Sequence, residues 1–121
     1  MRHAEWTVVF AAEAAEDLAL IEDHLIRAYR AFGESMSEAR LRAEVRIEAI
    51  ITTAERLCIA PYRGESQNDL LPGLRHLALD NAVYWFVPDP ETRQIRVLAV
   101  FFGAQDHQRH MLVRLLQKGA R

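Results

Sequence analysis

Eight polar side chains gather in the second half of this 121-residue chain: Arg63, Arg75, His76, Arg96, Asp106, His107, Arg109 and His110. In a site that cleaves RNA, an arginine neutralises the scissile phosphate, while a histidine, titrating near neutrality, exchanges protons with the 2′-hydroxyl and the leaving oxygen. The same residues have a structural reading, in which Arg75 pairs with a carboxylate such as Asp106 and the histidines lie on the surface. His107 and His110 are three apart and share a face of any helix that carries them. A single cysteine, Cys58, and five scattered histidines lack the spacing of a zinc site. The sequence has no Gly-rich phosphate loop and no nucleophile elbow, so no metal and no cofactor is expected. Glu13, Glu16 and Asp17, with Glu22 and Asp23, read as a solvated helix face.

These side chains need a scaffold, and the stretch 71–107 supplies most of it. Leu74 to Leu79 predicts a strand, Asp80-Asn81 a tight turn and Ala82 to Val87 the returning strand of a hairpin. Pro88 to Thr92 is turn chemistry, and Ile95 to Phe102 predicts another strand. Trp6 to Phe10, apolar and β-branched, predicts a fourth strand placed centrally in the sheet. From Ala11 the spacing of Leu18, Ile21, Leu25, Ala28 and Phe32 predicts one face of a helix that stops at Gly33. Ser35 and Glu38 have the spacing of a capping box, and Ala43, Ile47, Ile50, Ile51, Ala54, Leu57 and Cys58 form a second stripe ending before Pro61. Two helices joined this closely form an antiparallel hairpin. The polar run 62–69 reads as a surface loop, and Gln105 to Gln117 as a short amphipathic helix with a frayed end at 118–121. One domain, 1–121, of the α+β class follows: an N-terminal strand and helical hairpin on a small, antiparallel-rich, four-stranded sheet, closed by a short helix.

Composition narrows the functions. Half of the residues are hydrophobic and 26% charged, as in an ordinary globular chain. A net charge of -2 gives no general attraction to nucleic acid, although residues 63–121 carry 8 basic against 6 acidic side chains. No apolar run approaches the ~20 residues of a membrane span, the first residues lack the core of a signal peptide, and a lone cysteine suits a reducing cytoplasm. Leu20, Ile26, Leu41 and Val45 fall off both helical stripes, as an apolar patch awaiting a protein partner would.

Leu70-Leu71-Pro72-Gly73-Leu74-Arg75, the strand Tyr84-Trp85-Phe86-Val87, Ile95 to Phe101 and the close Phe102-Gly103-Ala104-Gln105-Asp106 resemble the ParE branch of the RelE/ParE toxins of type II toxin-antitoxin systems. Ala15-Glu16-Asp17-Leu18 with Ile21, and Pro61-Tyr62-Arg63-Gly64, extend the resemblance over nearly the whole chain. It implies a bacterial, cytoplasmic toxin held in a hetero-oligomer by a ParD-like antitoxin whose disordered C-terminal segment wraps around it. It also implies one of two activities: inhibition of DNA gyrase through protein contacts, as in ParE, or ribosome-dependent cleavage of messenger RNA, as in RelE. RelE-like ribonucleases resemble one another in lysines, arginines and a tyrosine near the C-terminus; here Lys118 is the only lysine and no tyrosine follows Tyr84. The gyrase reading is therefore preferred, with Arg63, Arg75, Asp106 and Arg109 as expected target contacts and no catalytic residue. The ribonuclease alternative would use Arg75 with His107 or His110.

Overall fold

In the computed structural model, residues 5–103 and 106–119 are described. The chain runs β1 (Thr7–Phe10), α1 (Ala12–Ala31), α2 (Met36–Thr53), a 3-10 helix (Ala54–Cys58), β2 (Glu65–Ser66), β3 (Arg75–Leu79), β4 (Ala82–Asp89), β5 (Gln94–Phe102) and α3 (His107–Gly119). The predicted helix start at Gln105, with the Ala104 exit beside it, and residues 120–121 of the predicted frayed end lie outside the described residues; at 118–119, where fraying is also predicted, α3 continues to Gly119. No described helix is long and apolar enough to cross a membrane.

The helical hairpin forms for the expected reasons. Ser35 Oγ accepts from the Glu38 backbone N–H, and the Glu38 carboxylate accepts from the Ser35 N–H, a complete capping box. Glu13 opens α1 and Arg30 closes it, matching the helix dipole. Two stripe residues are displaced. Phe32 lies beyond the last turn of α1 and is 87% exposed, because the helix ends at Ala31. Ile51 is exposed as well, since the face that buries Ala39, Ala43 and Ile50 has rotated past it.

The sheet has five strands in the order β1-β5-β4-β3-β2, one more than predicted, because part of the polar run 62–69 pairs with β3 through Glu65↔His76 and Ser66↔Arg75. β1 is an edge strand rather than a central one; it pairs only with β5, in parallel, from Thr7↔Gln94 to Phe10↔Val97. The turn at Asp80-Asn81 has positive φ at both residues, the geometry that matches the twist of a two-residue hairpin. Between Phe86↔Val97 and Trp85↔Ala99, Leu98 has no opposite number, so β5 carries a bulge. The bulge inverts the alternation of β5: Ile95 and Val97 face one side, whereas Ala99 and Phe101 face the other.

That inversion serves two cores. On one face Tyr84, Phe86, Ile95 and Val97 pack against Leu18, Ile21, Leu25 and Ile50 of the hairpin. On the other, Leu74, Trp85, Ala99 and Phe101 are covered by Met111 and Leu115 of α3. Each fully buried aromatic ring contributes on the order of 2–3 kcal/mol of transfer free energy. Tyr84 also donates from its hydroxyl to the Ile50 carbonyl at 2.7 Å, tying the sheet to α2. Tyr84→Phe is expected to cost about 1 kcal/mol in urea unfolding. Burial first, and then Asp80, pushes the Tyr84 phenol from 10.0 to about 12 against a small opposing effect of Arg56. The unfolded phenol therefore ionises first, and stability falls as pH rises from about 10 to 12; Tyr84→Phe removes that alkaline loss.

Candidate functional site

Arg75 opens β3 and is aligned with Phe86, so its side chain lies on the hairpin face of the sheet. Its Nε donates to the Arg63 carbonyl at 3.0 Å and its Nη2 to the Gly64 carbonyl at 3.2 Å. The expected pairing with Asp106 is not what forms; the guanidinium ties down the turn that leads into β2. Arg63 reaches back in the same turn, donating from Nη2 to the Arg56 carbonyl at 2.9 Å, while its buried Nε has no hydrogen-bond partner among the described residues. Asp106 caps the start of α3, accepting from the Arg109 N–H at 3.3 Å on Oδ1, and Arg109 is exposed. Arg96 is exposed on β5.

His76 follows Arg75 and faces the other way, toward α3. Only 9% exposed, it is not the surface histidine the sequence suggested. Its ring lies 4.4 Å from Trp85 and 5.1 Å from His107. Trp85 donates from Nε1 to His107 Nδ1 at 3.2 Å, which places the proton of a neutral His107 on Nε2. Burial, followed by the nearby His107, pushes the His76 imidazole below its ordinary range, with Glu65 opposing. Glu65 Oε1 lies 3.6 Å from His76 Nε2, too far for a hydrogen bond. His110, one turn on, stacks at 5.8 Å on Phe101, so His107 and His110 face different rings. The sheet thus separates the residues of the ribonuclease alternative: Arg75 is on the hairpin face, His107 and His110 on the α3 face. Among the described residues no three histidine, cysteine or acidic side chains are grouped to hold a metal. Cys58 is half-buried, and burial first, then Glu55, pushes its thiol up, away from the reactive thiolate.

The pair that seats α3 was hidden in the sequence. Asp17, read as part of a solvated acidic face, is 7% exposed. Its carboxylate takes two bonds from Arg114 of α3, Nη2 to Oδ1 at 2.7 Å and Nη1 to Oδ2 at 3.0 Å, and Oδ2 also accepts from the Val100 N–H at 3.0 Å. Arg114 Nη1 donates to the Leu98 carbonyl at 3.3 Å. β1 ends opposite Val97, and the bulge at Leu98 turns the next backbone groups of β5 outward. Asp17 and Arg114 satisfy those groups where a strand is lacking. One cue was present: Asp17 precedes Leu18 and sits three residues after Ala14 on the buried stripe.

The outer side of the hairpin is the remaining candidate surface. Leu20, Leu41 and Val45 are 65%, 62% and 61% exposed, as expected, whereas Ile26 is half-buried against the core. An open groove of about 650 Å³ runs between the helices, lined by Ile26, Met36 and Leu41 and by Glu22, Asp23 and Glu44, with Arg40 among them.

No family model and no curated protein matches the chain by sequence. Solved structures do match by shape. A chain of the chromosomal ParDE TA system from P. aeruginosa superposes with a TM-score of 0.60 at 19% identity, covering 84% of this chain and 99% of that one. A chain of the toxin-antitoxin complex RelBE2 from Mycobacterium tuberculosis superposes with a TM-score of 0.57 at 17% identity, covering 84% and 94%. With a helical hairpin on one face of a mixed five-stranded sheet and a single helix on the other, this chain has the RelE/ParE-like fold.

Proposed function

We propose that the chain is the toxin of a bacterial type II toxin-antitoxin pair, acting in the cytoplasm on DNA gyrase through protein contacts and held inactive in a hetero-oligomer by a ParD-like antitoxin. The fold supports the toxin class, since the two solved structures described above come from systems of that kind. The observation that carries the choice of target is Arg75: its guanidinium is engaged with the carbonyls of Arg63 and Gly64, on the face of the sheet opposite His76 and His107. Among the described residues, Arg75 does not share with His76 or His107 a common space that a scissile phosphate could occupy, and the pI near 6.2 fits ribosomal RNA poorly. Of the four expected contacts, Arg63 and Arg75 hold the turn on the hairpin face, while Asp106 and Arg109, at the start of α3 on the other face, form the contact surface, with Arg109 reaching the target. The exposed leucines and the groove of the hairpin suit the apolar face of the antitoxin's C-terminal segment.

The purified chain is expected to inhibit gyrase supercoiling and to accumulate gyrase-cleaved DNA, and to leave ribosome-bound messenger RNA intact. Arg109→Glu, on an exposed position, is expected to raise the concentration for half-inhibition by about tenfold without changing thermal stability. Full supercoiling at saturating toxin would sink the gyrase reading. The second reading, a RelE-like ribosome-dependent endoribonuclease, draws on the His76–His107 approach at 5.1 Å; cleavage of ribosome-bound messenger that is lost in His107→Ala would establish it.

A further inference from the structure

Helix α3 is fastened to the sheet at two places of different chemistry. Its later turns are held by the Arg114–Asp17 ion pair and by Met111 and Leu115 in the second core. Its first turn is held by rings: His107 accepts from Trp85 and packs against His76, and His110 stacks on Phe101. We infer that this first attachment is a proton-operated latch, closed while His76 and His107 are neutral and opened when they take up protons, with the Arg114–Asp17 pair keeping the rest of α3 in place.

The geometry requires neutrality at defined atoms. His107 Nδ1 accepts the Trp85 Nε1–H through its lone pair, and a proton on Nδ1 takes that lone pair, leaving two donors facing each other at 3.2 Å. His76 is nearly sealed, with its Nε2 out of contact with water and without a hydrogen-bond partner among the described residues. A proton placed there is poorly solvated and confronts His107 across 5.1 Å. Charge on this turn also faces the positive end of the α3 dipole.

Other charged groups around the rings modulate the latch without reversing it. Glu65 on β2 favours a charged His76, but it is 67% exposed and stands at 3.6 Å. The Trp85 face offers a charged His76 a cation–π contact, which the burial of the ring opposes. On α3 itself, Asp106 is occupied in capping through the Arg109 N–H, Arg109 adds positive charge, and His110 belongs to the Phe101 contact. Arg75 points to the opposite face of the sheet and ties the 63–64 turn. The sign follows: the closed form holds the His76 imidazole below its ordinary range, so the open form binds the proton more tightly. Closure is complete above the ordinary imidazole range and is lost as pH falls through it. Arg109 rides on the same turn, so opening reshapes that end of the molecule.

Amide hydrogen exchange on the full chain at pH 7.5 and 5.5, corrected for the intrinsic pH dependence of exchange, tests the latch. Protection of residues 110–113 is expected to fall by about tenfold at the lower pH, while β4 and α1 keep theirs. In His107→Phe, which keeps a ring and removes one of the two titrating groups, the fall is expected to shrink to the few-fold part that buried His76 alone supplies. Should that variant fail to fold, the wild-type imidazole ¹⁵N shifts serve in its place: at pH 7.5 His107 Nδ1 should be unprotonated and hydrogen-bonded. Equal protection at the two pH values in the wild type, an unchanged tenfold fall in His107→Phe, or a proton on His107 Nδ1 at pH 7.5 would each overturn the inference.

Discussion

Asp17→Ala is expected to destabilise the folded chain by about 3–5 kcal/mol, the largest loss of any single polar substitution here. The carboxylate is 7% exposed and accepts three bonds, two from Arg114 and one from the Val100 N–H. Removing it leaves the guanidinium of Arg114, itself largely covered, with the Leu98 carbonyl as its remaining hydrogen bond and the charges of Glu13 and Glu16 in place of the lost carboxylate, and orphans an N–H on the bulged edge of β5. Hydrogen bonds from Asp17 push the Arg114 guanidinium further above its ordinary range; without them it is still charged, because an arginine has no neutral form to retreat to. In a chain of this size the loss amounts to a fall in melting temperature of roughly 10–20 °C. Asp17→Ala with Arg114→Met removes both charges and is expected to recover part of that stability, because an apolar side chain suits the surroundings of Phe101 and Met111. Urea unfolding of the two variants with an unchanged m-value would establish the cycle. A loss below 1 kcal/mol in Asp17→Ala would show that β5 and α3 hold together without the pair.

The elements that could be read in the sequence are those whose causes are local. The capping box at Ser35 and Glu38, the periodicity of Leu18, Ile21 and Leu25, and the Asp80-Asn81 turn each need only a few neighbouring residues, and each forms as expected. What eluded sequence reading depends on partners far along the chain. β1 is apolar enough for a central strand, yet Trp6, Val8 and Phe10 find their cover on one side, and the first pairing partner lies 87 residues away at Gln94. It is an edge because no other described strand pairs with it, and its pairing ends opposite Val97, just before a bulge that nothing in the Val97-Leu98-Ala99 run marks.

The candidate site divides in the same way. Arg75 and the α3 histidines were recognisable as chemistry-bearing residues, but a strand places adjacent side chains on opposite faces, and which face Arg75 took depended on its register with Phe86. Asp17 hid among the acidic residues of α1, its one cue being phase with the buried stripe. Trp85, whose indole N–H fixes His107, read only as an apolar strand residue. For each of these, residue type was legible and the partner was not.

Gly64→Ala is expected to cost roughly 3–4 kcal/mol, from two separate sources that add at one atom. Gly64 has a φ of 91°, where an L side chain loses about 1–2 kcal/mol. A Cβ there would also stand 2.5 Å from the His76 carbonyl oxygen and 3.2 Å from Leu77 Cβ, and the oxygen belongs to the backbone of β3 and has no rotamer to escape into. Either β2 swings away or the turn unwinds, and both outcomes break the Glu65↔His76 pairing and pull the Gly64 carbonyl from Arg75. Gly33→Ala is the matched control. Its φ is 102°, but nothing lies within 4 Å of the added Cβ, so only the conformational part, about 1–2 kcal/mol, is expected. The difference between the two variants isolates the steric contribution of the 64–76 approach. If Gly64→Ala lost no more than Gly33→Ala, β2 would be free to shift away from β3; if it loses the larger amount, the 64–76 approach is rigid and the carbonyls that Arg75 bonds are held in place.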